Sequence, residues 1–483
     1  MEGIYYIFAV IPISLLLVIS LTKGVKAGIF TGLVATSILF FFWDSTLMTF
    51  FASFIAAFID TISILMIVFG AVLLFHTMEQ KGFIEEIQES LHGIHPNRNF
   101  QFYFLAFFLT AFFESVAGFG TPGAIVPLLL ISMGFPPITS IASVLLIDSI
   151  FAVSGAIGTP VTAGLERPLS LSTDMTSEIY FYASIAIALA GIVIHLVINR
   201  FMNREIERKK NNSFLLYSSI MIPYVCLSFY LKELTGIISA IIMVLVSFIF
   251  FFKKHSIKWR PWLPYILLVV ILLLPKIFSS LASFLLYEIS FESIFGTKVS
   301  ASIRPLRSPL TPFIIASIFA AIMVKDLSFD LKPVISKTLA VFQILFPSLA
   351  ITQLMLSSGT EMPSMVETLA VIFVGTGEAY PLLSPLIGVL GTFITGSTTV
   401  SNIIFGPMQY SAAQNLNTYT EIILALQLTG ASLGNAICLF NIIAASAVAG
   451  VKNYSAILKK NMLPVLLAAI VAAIFGYVLL ALQ

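Results

Sequence analysis

The sequence predicts an all-α polytopic membrane protein built from two repeats with broken helices. Only 10% of its 483 residues are charged and 59% are hydrophobic, with a mean hydropathy of +1.03; a soluble chain would carry roughly a quarter charged residues. Apolar runs near the span length of about 20 residues follow one another along the chain. One of them is interrupted at Phe112-Phe-Glu-Ser-Val-Ala-Gly-Phe-Gly-Thr-Pro-Gly-Ala-Ile125, and a comparable break recurs in the second half. Hydrocarbon offers no water to freed backbone groups, so broken helix at membrane depth survives only inside protein or beside a cavity. Such a break therefore points to a binding site.

Composition excludes several classes. A net charge of +2 gives no nucleic-acid partner. Cys226 and Cys438 are isolated and support neither a disulfide framework nor a metal site, and no cofactor is implied. Ile4–Leu21 is long enough to span, with Lys23 and Lys26 after it, unlike a cleavable signal peptide.

In chain order the candidate spans are 4–21, 28–43, 47–77 (one long or two short), 101–133 (interrupted), 138–157, 178–199, 214–231, 236–252, 262–280, 309–324, 335–357, 363–377, 380–410 (interrupted), 421–450 and 462–481. Some should be half-helices or re-entrant hairpins, giving roughly 11–14 membrane elements. Arg200, Arg204, Arg208, Lys209 and Lys210 crowd loop 200–210, and Lys253, Lys254, Lys258 and Arg260 crowd loop 253–260. The positive-inside bias makes both cytoplasmic; anionic lipid contact is their simplest role. Segment 78–100 reads as an amphipathic surface helix, with Ile84, Ile87 and Leu91 at helical spacing. The expected organisation is scaffold spans over 1–100, a first core repeat over 101–200, scaffold over 201–330, a second core repeat over 331–455, and a last span over 456–483.

The halves repeat. Gly118-Phe-Gly-Thr-Pro-Gly123 is followed 37 residues later by Gly155-Ala-Ile-Gly-Thr-Pro160, and Gly396-Ser-Thr-Thr-Val-Ser-Asn402 is followed 38 residues later by Gly434-Asn-Ala-Ile-Cys438. Paired interruptions at corresponding positions are the sequence mark of a transporter site built from an internal repeat, whether parallel or inverted. The alternative is coincidence among glycine-rich membrane helices, which favour small residues at contacts.

The breaks have a definite chemistry. Gly118, Gly120, Gly123 and Gly396 let the backbone leave the helix. Thr121 with Pro122, Thr159 with Pro160, and Ser397 or Thr398 are candidate caps of the half-helices that follow. A half-helix N-terminus presents unpaired N–H groups and a partial positive charge, and two of them would hold a small anion without a buried arginine. Ser397, Thr398, Thr399, Ser401, Asn402 and Asn435 could orient its oxygens; the competing reading is hydroxyls bonded to their own helical turn. Ionisable groups at membrane depth are expensive. Glu114 stands one turn before the first break and Asp148 in the span before the second, and each suits a carboxyl protonated with the substrate and released after transport. Asp60, Glu361, Glu367, Glu378, His76 and His195 read as interfacial.

At these motifs the chain resembles the L-lactate permease family of carboxylate transporters. The resemblance rests on Glu114, Ala117-Gly-Phe-Gly-Thr-Pro122, Gly155-Ala-Ile-Gly158, Pro160 and Thr162, then on Thr376-Gly377, Ser384-Pro385, Gly388, Gly391, Thr395-Gly-Ser397, Thr399, Ser401-Asn402 and Gly406. It runs through roughly 60–200 and 335–455 and is weak over 201–330. It implies proton-coupled uptake of 2-hydroxymonocarboxylates such as lactate and glycolate, and the chain also looks related to the broader ion-transporter superfamily, which implies inverted repeats, re-entrant hairpins and elevator-type motion. The family pattern carries an acid where this chain has Thr398 and a lysine where it has Asn435, while Asp148 stands where asparagine is usual. One reading is that the carboxylate crossed the pseudo-symmetric site; the other is a changed substrate or coupling ion. Losing a lysine favours a small monocarboxylate over a doubly charged substrate.

The expected function is thus a plasma-membrane symporter whose partners are a small anionic carboxylate, protons and membrane lipid; a homodimer is compatible with it. A sodium-coupled carboxylate or sulfonate carrier is the nearest alternative, because Ser/Thr/Asn-lined breaks also coordinate Na⁺. A polytopic membrane enzyme is the alternative from another class; it would need a clustered nucleophile, base or metal set, which five histidines and two lone cysteines do not form.

Overall fold

A computed structural model describes residues 2–91, 94–118, 120–206, 213–250, 258–278, 287–306, 308–359 and 362–482. Arg208, Lys209, Lys210, Lys253, Lys254 and Glu361 lie outside them. Among the described residues ten helical stretches are long and apolar enough to cross a membrane, and four shorter apolar helices accompany them. Together they meet the expected range of membrane elements.

Helices α1 (Glu2–Lys23) and α2 (Val25–Phe40) pack as a pair. The 47–77 run forms one 34-residue helix, α3 (Leu47–Gln80), begun by the Thr46 side chain accepting from Thr49 N. Asp60 therefore lies well inside a single span. It is buried, with Gln353 Nε2 donating to its Oδ2 at 3.4 Å, and the interfacial reading of Asp60 is corrected. The short helix α4 (Phe83–Leu91) buries Phe83, Ile84, Ile87 and Leu91 and leaves Glu85 and Glu89 in the open, as the amphipathic spacing required.

The first repeat begins with α5 (Arg98–Val116), breaks over 117–120 and resumes as α6 (Thr121–Ser132). At about 18 Å for 12 residues, α6 is too short for a hydrocarbon core of about 30 Å. The pair does not cross. Arg98 Nη2 donates to Met133 O at 2.9 Å, joining the start of α5 to the end of α6, so the two form a re-entrant hairpin. Helix α7 (Pro137–Phe151) then leads through a break into α8 (Gly155–Val161) and a π-turn over Thr162–Glu166. Helix α9 (Thr173–Glu205) closes the repeat.

Helices α10 (Ser213–Leu231) and α11 (Thr235–Phe250) lie side by side, joined by the turn Lys232–Leu234. Helix α12 (Leu263–Ile277) follows. Strands β1 (Ile289–Phe291) and β2 (Ala301–Ile303) pair antiparallel, an element the helical reading of 201–330 did not include. Next come α13 (Leu310–Met323), α14 (Leu331–Ser357) and α15 (Met365–Val374).

The second repeat has the same order. Helices α16 (Tyr380–Thr395) and α17 (Thr398–Asn415) form its hairpin; the Tyr380 hydroxyl donates to Gln409 Oε1 at 2.5 Å near the open end. Helix α18 (Thr420–Gly434) breaks over 435–438 and continues as α19 (Leu439–Val448), and α20 (Tyr454–Ala481) is last. Lys460, in the first turns of α20, donates to Thr139 Oγ1 at 2.7 Å and to Glu205, and Thr139 is in the first turn of α7. The second repeat's broken span thus finishes at the end of the molecule where the first repeat's begins. The repeats are inverted.

Glycines set the packing of the second repeat. A Cβ at Gly388 would run into Gln427 O, one at Gly430 into Pro385 O, and one at Gly434 would lie 2.7 Å from Val389 O, so α16 and α18 meet backbone to backbone. Gly434 accordingly ends a helix and packs it. The break itself begins one residue later.

Candidate functional site

The first hairpin turns at Gly118 (φ +55) and Gly120 (φ +77), with Phe119 between them outside the described residues. Left-handed backbone of this kind costs a side chain that glycine does not have. Gly120 is the residue that caps α6; Thr121 and Pro122 are its first two positions, so the expected Thr121 cap is displaced by one residue. Gly123 meets Ala445 of α19, where an added Cβ would find 3.5 Å. The tip packs on the second break of its own repeat, since a Cβ at Gly118 would come within 2.7 Å of Ala156 Cβ.

That second break is the most distorted backbone in the site. Ala156 (φ +45), Ile157 (φ +51) and Gly158 (φ +73) are all left-handed and all buried; sites of this kind persist only where surrounding structure holds them. Thr159 does not cap a half-helix outward as expected. Its hydroxyl donates to Ala156 O at 2.6 Å and closes the kink.

Glu114 and Asp148, which the sequence proposed separately, come together. Both are buried, and their carboxyl groups face each other within hydrogen-bonding reach. Gly155 leaves room for this, because a Cβ there would overlap Glu114 Oε1. A hydrogen bond between two carboxyl groups needs a proton on one of them, and two acids placed this way can share one.

In the second repeat Gly396 (φ +77) ends α16, and Ser397 caps α17, its Oγ accepting from Val400 N at 3.3 Å. This bears out Ser397, rather than Thr398, as the cap. Thr398 Oγ1 donates to Ala431 O at 3.3 Å and accepts from Asn435 Nδ2 at 3.0 Å. The two positions at which the family pattern shows an acid and a lysine are therefore in contact. Against the pattern that the resemblance implies, the two exchanges would cancel in charge.

Ser401 and Asn402 belong to a buried amide network that sequence reasoning missed. Gln427 Nε2 donates to Ser401 Oγ at 3.4 Å and to Asn402 Oδ1 at 3.3 Å, and Gln409 Nε2 donates to Gln427 Oε1 at 3.0 Å. Asn402 Nδ2 in turn reaches Pro160 O at 3.0 Å, tying the second hairpin to the first repeat's break. Thr399 is buried, its carbonyl beside Gly164. The repeats also meet where Ser432 Oγ donates to Ser149 O at 2.7 Å. Hence Asp148 is one residue from a contact whose partner is one residue from Ala431, the acceptor of Thr398. The helix contacts across the repeats are themselves exchanged by the pseudo-symmetry: α6 lies on α19, and α17 lies on α8 and the turn after it.

A cavity of about 2150 Å³ opens at the end opposite Lys460 and Glu205. Asp60, Ile157, Thr162, Arg167, Gln353 and the 290–302 hairpin line it. It reaches the second break of the first repeat but not the carboxyl pair. Among the described residues no group of three or more His, Cys, Asp or Glu side chains could hold a metal ion.

A family model described as L-lactate permease matches residues 5–483. An L-lactate permease of Streptococcus iniae is 28% identical over 73% of this chain and 78% of its own. Glycolate permease GlcA of Escherichia coli strain K12 is 24% identical over 93% of this chain and 90% of its own. Among solved structures, the YdaH transporter of Alcanivorax borkumensis aligns with 86% of this chain and 85% of its own at 13% identity and a TM-score of 0.40.

Proposed function

The chain belongs to the L-lactate permease family, and on that premise we propose that it is a symporter carrying small 2-hydroxymonocarboxylates, such as lactate and glycolate, with protons across the plasma membrane. The observation that carries the reading is the buried Glu114–Asp148 pair behind the first hairpin tip. Two facing carboxyls hold one proton readily, because repulsion and desolvation both penalise the doubly ionised pair, and they take a second when something nearby further favours the neutral pair. A cotransported anion does that by moving with the proton as a neutral sum. Its carboxylate is bound by the N–H groups that open α6 after Gly120 and α17 after Ser397, with Thr121, Thr398 and Asn435 nearest those ends. The basic loops face the cytoplasm, so the large cavity faces outward. The inverted hairpins move as a core against α1–α3, α13 and α14.

The test is uptake of labelled lactate and glycolate into proteoliposomes, driven by an inward proton gradient or by an inward sodium gradient. The reading expects accumulation under the first and none under the second. Accumulation under sodium alone would replace proton coupling with sodium coupling at the same breaks. A response confined to dicarboxylates or sulfonates would overturn the substrate class.

A further inference from the structure

We propose that protons reach Glu114 and Asp148 from the large cavity along Glu233, Tyr180, Tyr224 and Ser154, an inference that rests on the proton-coupled reading above. The cavity ends at the left-handed backbone of Ala156–Gly158, with Tyr180 and Glu233 in its wall. Both crowd Gly158: a Cβ there would overlap the Tyr180 hydroxyl and come within 2.5 Å of Glu233 Cβ. The Tyr180 hydroxyl donates to Gly158 O at 3.4 Å, and it lies in the electrostatic field of Glu233, Glu166 and Tyr224.

On the far side of this wall Tyr224 is buried, its hydroxyl 3.0 Å from Ser154 Oγ and in the field of Glu114. Gly236 of α11 makes room for the same cluster, because a Cβ there would overlap Ser115 Oγ and come within 2.8 Å of Ser154 Oγ. Ser115, adjacent to Glu114, is buried with a hydroxyl that makes no hydrogen bond. Buried hydroxyls thus lie between the cavity wall and the carboxyl pair, in surroundings where buried polar groups are otherwise costly. The charged groups facing the entrance are Glu166, Arg167, Lys232 and Glu233.

The step balances without any co-reactant. Glu233 takes one proton from cavity water, each hydroxyl accepts one and passes its own on, and the unprotonated carboxylate of the pair receives one.

Tyr224→Phe and Glu233→Gln in the full-length chain test the route, each measured as proton-gradient-driven lactate uptake and as lactate–lactate exchange at equal pH. Exchange needs no release of the proton, whereas net uptake does. Both variants are expected to lose at least tenfold in net uptake while exchange stays within twofold. Net uptake and exchange falling together, or neither changing, overturns the relay. Wild-type protein that exchanges lactate but ignores the proton gradient would instead overturn the proposed coupling itself.

Discussion

Glu114 of the first re-entrant hairpin and Asp148 of the following span bring their carboxyl groups face to face inside the protein, where Gly155 leaves space for them. Neither residue is near the other in sequence. The hairpin brings them together: α5 and α7 pack along their length, and the break after Phe151 turns its backbone onto the Glu114 side chain.

Gly155→Ala tests how tightly that pair is held. The added methyl would overlap Glu114 Oε1, and overpacking a filled interior costs roughly 1–3 kcal/mol. The expected outcome is a protein that still inserts and purifies, with a thermal midpoint lowered by a few degrees and lactate transport down at least tenfold. A variant with wild-type transport would show that the Glu114 carboxyl is free to move aside.

The contact between Thr398 and Asn435 yields a double-mutant cycle. Thr398→Asp alone, or Asn435→Lys alone, places an unpaired charge in a buried site and is expected to reduce transport strongly. Together they form an ion pair at the same contact and should recover activity well above the product of the single effects, a coupling of roughly 0.5–3 kcal/mol. Strict additivity in uptake rate would mean that the two side chains do not act on each other.

Gln427→Leu addresses the amide network. It removes the partner of Asn402 Oδ1 and one of the partners of Gln409 Nε2 and Ser401 Oγ, which keep Ser384 O and Gly388 O, and an orphaned buried polar group costs about 1–3 kcal/mol. A fall in the detergent melting temperature is expected, together with faster proteolysis at the second hairpin. An unchanged melting temperature would mean that water replaces Gln427 without loss.

Much of this was legible in the sequence, for a physical reason. Glycine, proline and hydroxyl residues within apolar runs have few roles at membrane depth, so Gly118–Gly120, Gly155–Gly158 and Gly396–Ser397 mark breaks by residue type alone. Other features depend on the fold. Thr121 missed the cap by one residue because left-handed Gly120 takes that place, and Thr159 bonds inward to Ala156. Gln409 and Gln427 lie on different helices, and nothing local says that they face each other. Asp60 resembled an interfacial acid until α3 proved continuous through it. The inversion of the repeats rests on Lys460 meeting Thr139, residues 321 positions apart.

The most direct measurement is the transport of Asp148→Asn in proteoliposomes carrying an internal pH-sensitive dye. Asparagine keeps the size and the hydrogen bond to Glu114 but cannot take or give up a proton. Wild-type protein is expected to acidify the lumen as it accumulates lactate under an inward proton gradient. Asp148→Asn should exchange lactate across the membrane while neither accumulating it nor moving protons. Accumulation and acidification at wild-type rates in Asp148→Asn would contradict the carboxyl pair as the coupling element.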